Sequence, residues 1–246
     1  MRSFSVAFYV LTCAGAGILC LFLLFGTFIG HADPFAAVAT QSIPPVQVPA
    51  DAGVLDIKSL GAIDDGVTDD TAAIRATIQQ APQDAILYFP NGTYLISASL
   101  LWKHANGNWR AYLTFQGESQ SGTIIRLKNN LGGAWAAAGN CANSYSANGQ
   151  HPDCTTNAMI YTGSEGVTWS DSNGNEGYDN FIFDMTIDVG NGNPGAEGIH
   201  WIGHNTSAIR NVTIKSEDGQ GFMGLDMRTQ YFGPALARYV IIQGFQ

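Results

Sequence analysis

Charged residues are scarce in this sequence, and basic residues are the scarcest. Of 246 residues, 13% are charged, and 11 Lys and Arg against 20 Asp and Glu give a formal net charge of −9. This balance argues against binding to nucleic acid or to an anionic membrane surface, since both are negatively charged. A polyanionic glycan would meet the same repulsion unless a local Arg cluster or Ca²⁺ overcame it, whereas a neutral glycan would not.

Cysteine is also scarce, with four residues in the chain, two of them in an apolar N-terminal segment. The other two, Cys141 and Cys154, predict a disulfide if the compartment is oxidising. The bridge would close a loop of about 14 residues and stabilise the fold by ~3 kcal/mol. His151 and Asp153 lie between the thiols, so a metal site is the alternative. The spacing matches no common zinc pattern, and we expect no metal there.

The N-terminus carries one charge, Arg2, followed by an uncharged apolar run from Ser3 to Gly30. Such a segment, at 1–30, is typical of a signal peptide or a signal anchor. The length of the run favours an anchor, whereas the small-x-small pattern Ala37-Val-Ala39 favours cleavage. Both interpretations place the rest of the chain outside the cytoplasm, because Arg2 should stay inside. We expect the protein to be secreted or anchored at the outer face of a membrane.

Residues 31–50 are rich in Pro and Ala and have no periodicity, as in a linker. The folded domain is expected at 51–246. The chain contains 29 Gly and few charges, a composition that fits many short strands and tight turns better than helices.

The stretch Val54–Leu101 contains strand, turn and helix signals in close succession. Gly61-Ala-Ile-Asp-Asp-Gly-Val-Thr-Asp-Asp-Thr-Ala-Ala-Ile74 is an acidic turn that leads into a helix predicted at about 69–81. Tyr88-Phe-Pro-Asn-Gly-Thr-Tyr94 joins two short strands through a turn. This pair of motifs resembles the opening of the pectate-lyase superfamily, which includes rhamnogalacturonase- and epimerase-like proteins. The resemblance implies an all-β fold, a right-handed parallel β-helix whose first turn is capped by the helix.

Repeats in the second half of the chain favour a solenoid independently of that resemblance. Phe183–Ile187, Arg210–Ile214 and Arg238–Ile242 align without gaps, 27 and then 28 residues apart. A second pattern aligns Gly198–Ile202 with Gly221–Leu225, 23 residues apart. Strand families that recur at a fixed period are typical of stacked coils, and a β-sandwich is the alternative fold.

The same region resembles the first β-helix of family 55 β-1,3-glucanases. Asn180–Asp188, Gly198–Trp201 and Asn211–Ile214 occur in the order of that family's F-x-x-x-I-D, G-I-H-W and N-V-x-I patterns. Those enzymes have two tandem β-helices and a proposed acid in the second, so the resemblance assigns no catalytic residue here. The chain ends in a strand pattern without a polar cap, and we expect it to be a truncated part of a longer protein.

Polysaccharide chemistry on a β-helix needs carboxylates on the outer faces of its strands. Glycoside hydrolysis uses two, about 5–5.5 Å apart for retention or about 6.5–9.5 Å apart for inversion, and adjacent coils are separated by about 4.8 Å. A uronate lyase or epimerase would instead need Ca²⁺ and a basic residue that removes a proton, for which Arg210 and Arg228 are the evident candidates. Each acidic candidate has a turn-forming role as its alternative. The catalytic candidates are Asp184, Asp188, Glu197, His200, Asp218 and Asp226.

Tryptophans provide candidate sugar contacts, because flat aromatic faces suit neutral pyranosides. Trp201 lies in an apolar strand pattern and is expected in the core. The candidates for substrate binding, with loop packing as the alternative role, are Trp102, Trp109, Trp135 and Trp169.

These features together predict an exported carbohydrate-active protein with a polysaccharide as its partner. The favoured activity is a glycoside hydrolase of the β-1,3-glucanase type that requires no cofactor. The alternatives are a pectate or uronate polymer lyase or epimerase, which would use Ca²⁺, and a non-catalytic glycan-binding β-helix.

Overall fold

A computed structural model describes residues 53–137, 158–163, 177–227 and 233–245. The strands in these ranges pair in parallel and wind as a β-solenoid of about five turns. The N-terminal segment, the linker, Cys141, Cys154 and Trp169 lie outside the described ranges, so the predictions made for them remain predictions. No helix within those ranges is long and apolar enough to cross a membrane.

Thirteen strands and one α-helix make up the described coils. The helix α1 is Thr71–Gln80, and a short 3-10 turn covers Gly133–Trp135. The strands are β1 Val54–Asp56, β2 Asp65–Asp69, β3 Ala85–Phe89, β4 Gly92–Ile96, β5 Leu100–Leu101, β6 Leu113–Gly117, β7 Thr123–Leu127, β8 Ala158–Tyr161, β9 Phe181–Asp188, β10 Glu197–His200, β11 Ala208–Lys215, β12 Met223–Asp226 and β13 Leu236–Gln243.

The larger sheet contains nine strands, because two short strands in each early coil become one long strand in each later coil. The first half of β9 pairs with β6, and its second half pairs with β7. The long strands bend where Asp184, Asn211 and Tyr239 have φ values of 56°, 57° and 55°. Phe183 pairs with Arg210, which pairs with Arg238, and this register confirms the predicted repeat of 27 and 28 residues.

The smaller sheet contains β5, β8, β10 and β12, and its register corrects the second predicted repeat. Glu197 pairs with Met223 and His200 pairs with Asp226, a spacing of 26 residues. The predicted spacing of 23 was wrong because it aligned Gly198 with Gly221, which precedes β12 and forms a bridge to Phe245 instead.

The helix α1 lies where later coils have a strand of the smaller sheet. It follows β2, precedes β3 and lies beside β5. Ile74 and Ile78 are fully buried and join the main core. The buried guanidinium of Arg110 donates hydrogen bonds to the carbonyls of Ile78 and Ala81 at the end of the helix. The helix predicted at about 69–81 is therefore present, and these contacts hold it against the first coils.

The main core fills the solenoid between the two sheets with Ile, Leu, Val and Phe side chains from successive coils. A smaller apolar cluster lies on the other side of the smaller sheet, and we call that side the outer side. This outer cluster consists of Ala158, Tyr161 and Ile202, with Leu101 and Trp109 packed against it.

Candidate functional site

The strands of the smaller sheet break the usual alternation of side chains between two faces. In β8, Met159 and Ile160 are consecutive, yet both belong to the main core. Ala158 and Tyr161, at the two ends of the strand, belong to the outer cluster. Along β8 the side chains therefore point to the outer side, to the core, to the core and again to the outer side.

Strand β10 has the same order because it is in register with β8. Ile199 lies in the main core, and a Cβ added to Gly198 would lie 2.3 Å from Ile214 Cγ2, so this position also faces inward. Glu197 and His200 are left on the outer side. Strict alternation would place residues three apart on opposite faces.

Glu197, His200 and Asp226 come together on this outer side. His200 Nδ1 lies 3.6 Å from Glu197 Oε2 and 3.7 Å from Asp226 Oδ2. One polar atom from each residue lies within 4.8 Å of the other two. The side chains are 3%, 1% and 1% exposed, respectively. Three of the six predicted catalytic candidates thus form one buried cluster, in which Asp226 comes from the coil after the other two. We call it the acidic cluster.

An aromatic run connects this cluster to a more exposed part of the surface. The Tyr161 ring packs edge-on against His200, with ring centroids 4.4 Å apart. Trp109 also packs edge-on against Tyr161, with ring centroids 5.1 Å apart, and is only half-buried. Lys103 Nζ lies 4.4 Å from the centre of the Trp109 ring. Tyr161 was absent from the predicted site, although its position at the end of β8 is in register with His200.

The other three acidic candidates have structural partners. Asp184 is a corner residue and accepts hydrogen bonds from the amides of Gln116 at 2.8 Å and Asn211 at 2.6 Å. Asp218 accepts a bond from the Gly192 N–H at 2.6 Å, which lowers the pKa of its carboxyl group. These contacts are those of a corner and a turn, the alternative roles that the sequence indicated.

Asp188 belongs to a charge network on the outer face of the larger sheet. Its buried carboxylate lies 3.1 Å from both Arg126 and Lys215, which are its partners in adjacent coils. Glu217 lies 2.6 Å from Arg126 and 3.5 Å from Lys215. An open groove of about 340 Å³ lies beside Lys215, and it is lined by Gln120, Ser121, Ile124, Thr186, Thr213 and Lys215.

Arg126 and Lys215 are not the basic residues that the sequence suggested for a lyase or epimerase, which were Arg210 and Arg228. Arg126 and Lys215 lie among carboxylates, whereas Arg210 is half-exposed, packs over the Phe183 ring and approaches Asp184 only to 4.0 Å. Arg228 lies outside the described residues. The register of β7, β9 and β11 brings Arg126 and Lys215 to the same carboxylate. That register could not be inferred from the positions of these two residues in the sequence.

The tryptophans divide between core and surface. Trp102 is fully buried in the main core, 4.8 Å from the Phe115 ring, which leaves no face for a sugar. Trp201 is also in the core, as the sequence indicated. Trp135 is half-buried and packs against the core. Trp109 is the substrate-binding candidate that lies near the acidic cluster, because it contacts Tyr161 and Tyr161 contacts His200.

Solved structures with similar folds include the catalytic unit of a thermostable GH87 α-1,3-glucanase from Streptomyces thermodiastaticus strain HF3-3. It is 15% identical, with a TM-score of 0.46, over 82% of this chain and 32% of that chain. The A-module of the Azotobacter vinelandii mannuronan C-5 epimerase AlgE6 is 18% identical, with a TM-score of 0.41, over 76% of this chain and 41% of that chain. At TM-scores below 0.5, neither likeness bears on function.

Sequence relatives agree with the fold. A probable glucan endo-1,3-beta-glucosidase from Arthroderma benhamiae is 50% identical over 46 residues, which are 19% of this chain and 5% of that protein. The family described as rhamnogalacturonase A/epimerase, pectate lyase-like, matches residues 54–233, most of the chain. This match confirms the resemblance seen in the two N-terminal motifs, and the chain belongs to that pectate lyase-like family.

Proposed function

We propose that the protein is a glycoside hydrolase whose catalytic centre is the acidic cluster of Glu197, His200 and Asp226. The observation that carries this proposal is the pair of carboxylates from adjacent coils on the outer side of the smaller sheet. Their oxygen atoms lie within 4.8 Å of each other, close to the about 5–5.5 Å that separates the two carboxyl groups of retaining glycosidases.

Hydrolysis of a glycosidic bond needs one carboxyl group that protonates the leaving oxygen and one that acts as nucleophile or base. Glu197 and Asp226 supply the two carboxyl groups that this division requires, held together on one side of adjacent coils. His200 Nδ1 lies at nearly equal distances from Glu197 and Asp226, so it can exchange a hydrogen bond with either. We assign the acid and base roles to the two carboxylates and a positioning role to His200.

The substrate that fits these features is a neutral glucan. The short, highly similar segment shared with a probable glucan endo-1,3-beta-glucosidase supports a β-1,3-glucan. The net charge of −9 adds repulsion for a polyanion but none for a neutral chain. Trp109, half-buried beside Tyr161, offers an aromatic surface near the cluster. Since the cluster is almost entirely buried, a bound sugar must displace the groups that cover it.

The test is the release of reducing ends from laminarin by the full chain, in the presence of EDTA. Glu197→Gln and Asp226→Asn should each lower kcat/KM at least 100-fold, the usual contribution of a general acid or base. Asp84→Asn is the matched control, because Asp84 is exposed and has φ of 59°, which Asn also adopts. The control should stay within twofold of the parent. Equal activity in all four proteins would place catalysis elsewhere, and laminarin binding without hydrolysis would favour the non-catalytic alternative.

The network around Asp188 supports a second candidate, a lyase or epimerase that acts on a uronic-acid polymer. Lys215 lies between two carboxylates at the edge of an open groove, and a lyase needs a basic group beside acidic side chains. This activity predicts a Ca²⁺-dependent rise in unsaturated-uronide absorbance on polygalacturonate, and its loss in Lys215→Met. No rise with the parent protein would exclude a pectate lyase.

A further inference from the structure

We infer that Glu197, His200 and Asp226 also form a binding site for a divalent cation of the Zn²⁺ type. The cluster offers one imidazole nitrogen and two carboxylate oxygens. Three protein ligands of these kinds are the usual complement of a zinc site that keeps a fourth position for water or substrate. The inference that such an ion regulates hydrolysis rests on the proposed function, whereas its binding does not.

The spacing of the donor atoms fits a common metal centre. Ligand atoms bonded to one Zn²⁺ at about 2.0–2.2 Å lie roughly 3.4 Å apart in tetrahedral geometry. The two distances from His200 Nδ1 are 3.6 Å and 3.7 Å. The two carboxylate donors lie within 4.8 Å of each other, so the three donors can close on one ion through small side-chain movements, without any change in the backbone register of β10 and β12.

Glu197 provides a second, independent observation. Its side chain is 3% exposed, and its Oε2 atom has no hydrogen-bond partner among the residues that the structure describes. This oxygen lies 3.6 Å from His200 Nδ1, so it points into the cluster. A buried carboxylate oxygen without a hydrogen bond loses its hydration without replacement, and a cation between the three donors would supply the missing interaction.

The donor set selects the type of ion. Ca²⁺ binds six to eight oxygen ligands at about 2.3–2.6 Å, and this cluster offers two carboxylates and a nitrogen. Imidazole is a ligand for Zn²⁺ and other first-row metals. We therefore expect Zn²⁺ to bind at least tenfold more tightly than Ca²⁺ at this site.

A protein with Zn²⁺ bound in the acidic cluster should not hydrolyse laminarin. A bound ion would take up both carboxylates that the proposed reaction needs for proton transfer and nucleophilic attack. It would also link β10 to β12 and so stabilise the stacking of two coils. Zn²⁺ should consequently raise the melting temperature of the full chain and inhibit laminarin hydrolysis over the same range of concentration.

The binding experiment is calorimetric titration of the full chain, stripped with EDTA, with ZnCl₂ and separately with CaCl₂. Glu197→Gln and Asp226→Asn should each weaken Zn²⁺ binding at least tenfold, and Asp84→Asn should leave it unchanged. The double variant Cys141→Ser/Cys154→Ser should also bind normally. Tight Zn²⁺ binding that survives both cluster variants, or that disappears with the cysteines, would overturn the site.

Co²⁺ provides a measurement on the unmodified chain, which matters if a cluster variant fails to fold. A ligand set of nitrogen and oxygen gives visible bands without the thiolate charge-transfer absorption that cysteine ligands produce, and a thiolate band would overturn the assignment. Hydrolysis of laminarin without Zn²⁺ binding would reject the metal site alone. Zn²⁺ binding in a protein that never hydrolyses laminarin would support the metal site and reject the proposed activity.

Discussion

His200 and Asp226 approach to 3.7 Å because they occupy the same position in two adjacent coils. The two residues are 26 positions apart in the sequence, and each lies at the C-terminal end of a four-residue strand. Tyr161 occupies the equivalent position one coil earlier. The outer side of the smaller sheet thus presents a column of Tyr, His and Asp, to which Glu197 is added by the break in alternation along β10.

Gly198 occupies the first inward position of that break, and its substitution should test how the acidic cluster is built. A Cβ at this position would lie 2.3 Å from Ile214 Cγ2 and 2.6 Å from the Gly224 carbonyl oxygen. We expect Gly198→Ala to lower the free energy of unfolding by about 1–3 kcal/mol, the usual cost of overpacking. It should also lower activity on laminarin, because β10 must shift to relieve the clash. Urea denaturation and the laminarin assay measure the two effects, and a variant with parental stability would contradict the inward orientation of residue 198.

Asp184 lies at a bend of the larger sheet, and its conformation gives a prediction that separates a corner role from a catalytic one. Its φ of 56° is tolerated by Asn and Asp but is costly for a β-branched residue. Asp184→Val should lower the free energy of unfolding by about 1–3 kcal/mol, whereas Asp184→Asn should lower it much less and keep hydrolysis intact. Denaturation curves and the laminarin assay provide the comparison. A large loss of activity in a stable Asp184→Asn protein would instead indicate a catalytic carboxylate.

The sequence predicted the coils better than it predicted the site. The repeats around Phe183, Arg210 and Arg238 were detectable because eight-residue strands with apolar residues at matching positions give a long, gap-free match. The four-residue strands of the smaller sheet give too short a match to fix a register. Gly198 was therefore aligned with Gly221 instead of Gly224, a shift of three residues that separates His200 from Asp226.

Site residues were identified by type, but their grouping required the structure. Glu197 and His200 are three apart, and the two-residue period of a strand predicts opposite faces for them. Only the consecutive inward positions Gly198 and Ile199 bring them to one side. Trp102 failed as a surface candidate for a related reason: the polar residues after it indicated a loop, yet the indole lies in the main core.

Asp218 gives a prediction about pH, because hydrogen bonds from Gly192, Gln220 and Ser216 lower the pKa of its carboxyl group from 3.8. A group whose pKa is lower in the folded state contributes stability above its unfolded pKa and loses that contribution as the pH falls through the folded value. The parent should therefore lose more stability than Asp218→Asn when the pH falls from about 5 to about 2. Urea midpoints at several pH values measure this, with Asp84→Asn as control. Identical slopes for the parent and Asp218→Asn would contradict the role of this carboxylate in the turn.

Trp109 should contribute to substrate binding rather than to bond cleavage. Its ring is half-buried, contacts Tyr161 and is separated from His200 by that residue, so it can contact a sugar next to the cluster without reaching the reacting bond. We expect Trp109→Ala to raise KM for laminarin about tenfold with less than a threefold change in kcat, and Trp109→Phe to restore much of the loss. Steady-state kinetics over a range of laminarin concentrations separate the two constants. Trp102→Ala is the contrasting variant, because removal of this core indole should cost about 3–5 kcal/mol of stability. A fall in kcat with unchanged KM in Trp109→Ala would mean that the ring orders Tyr161 and His200 instead of holding the sugar.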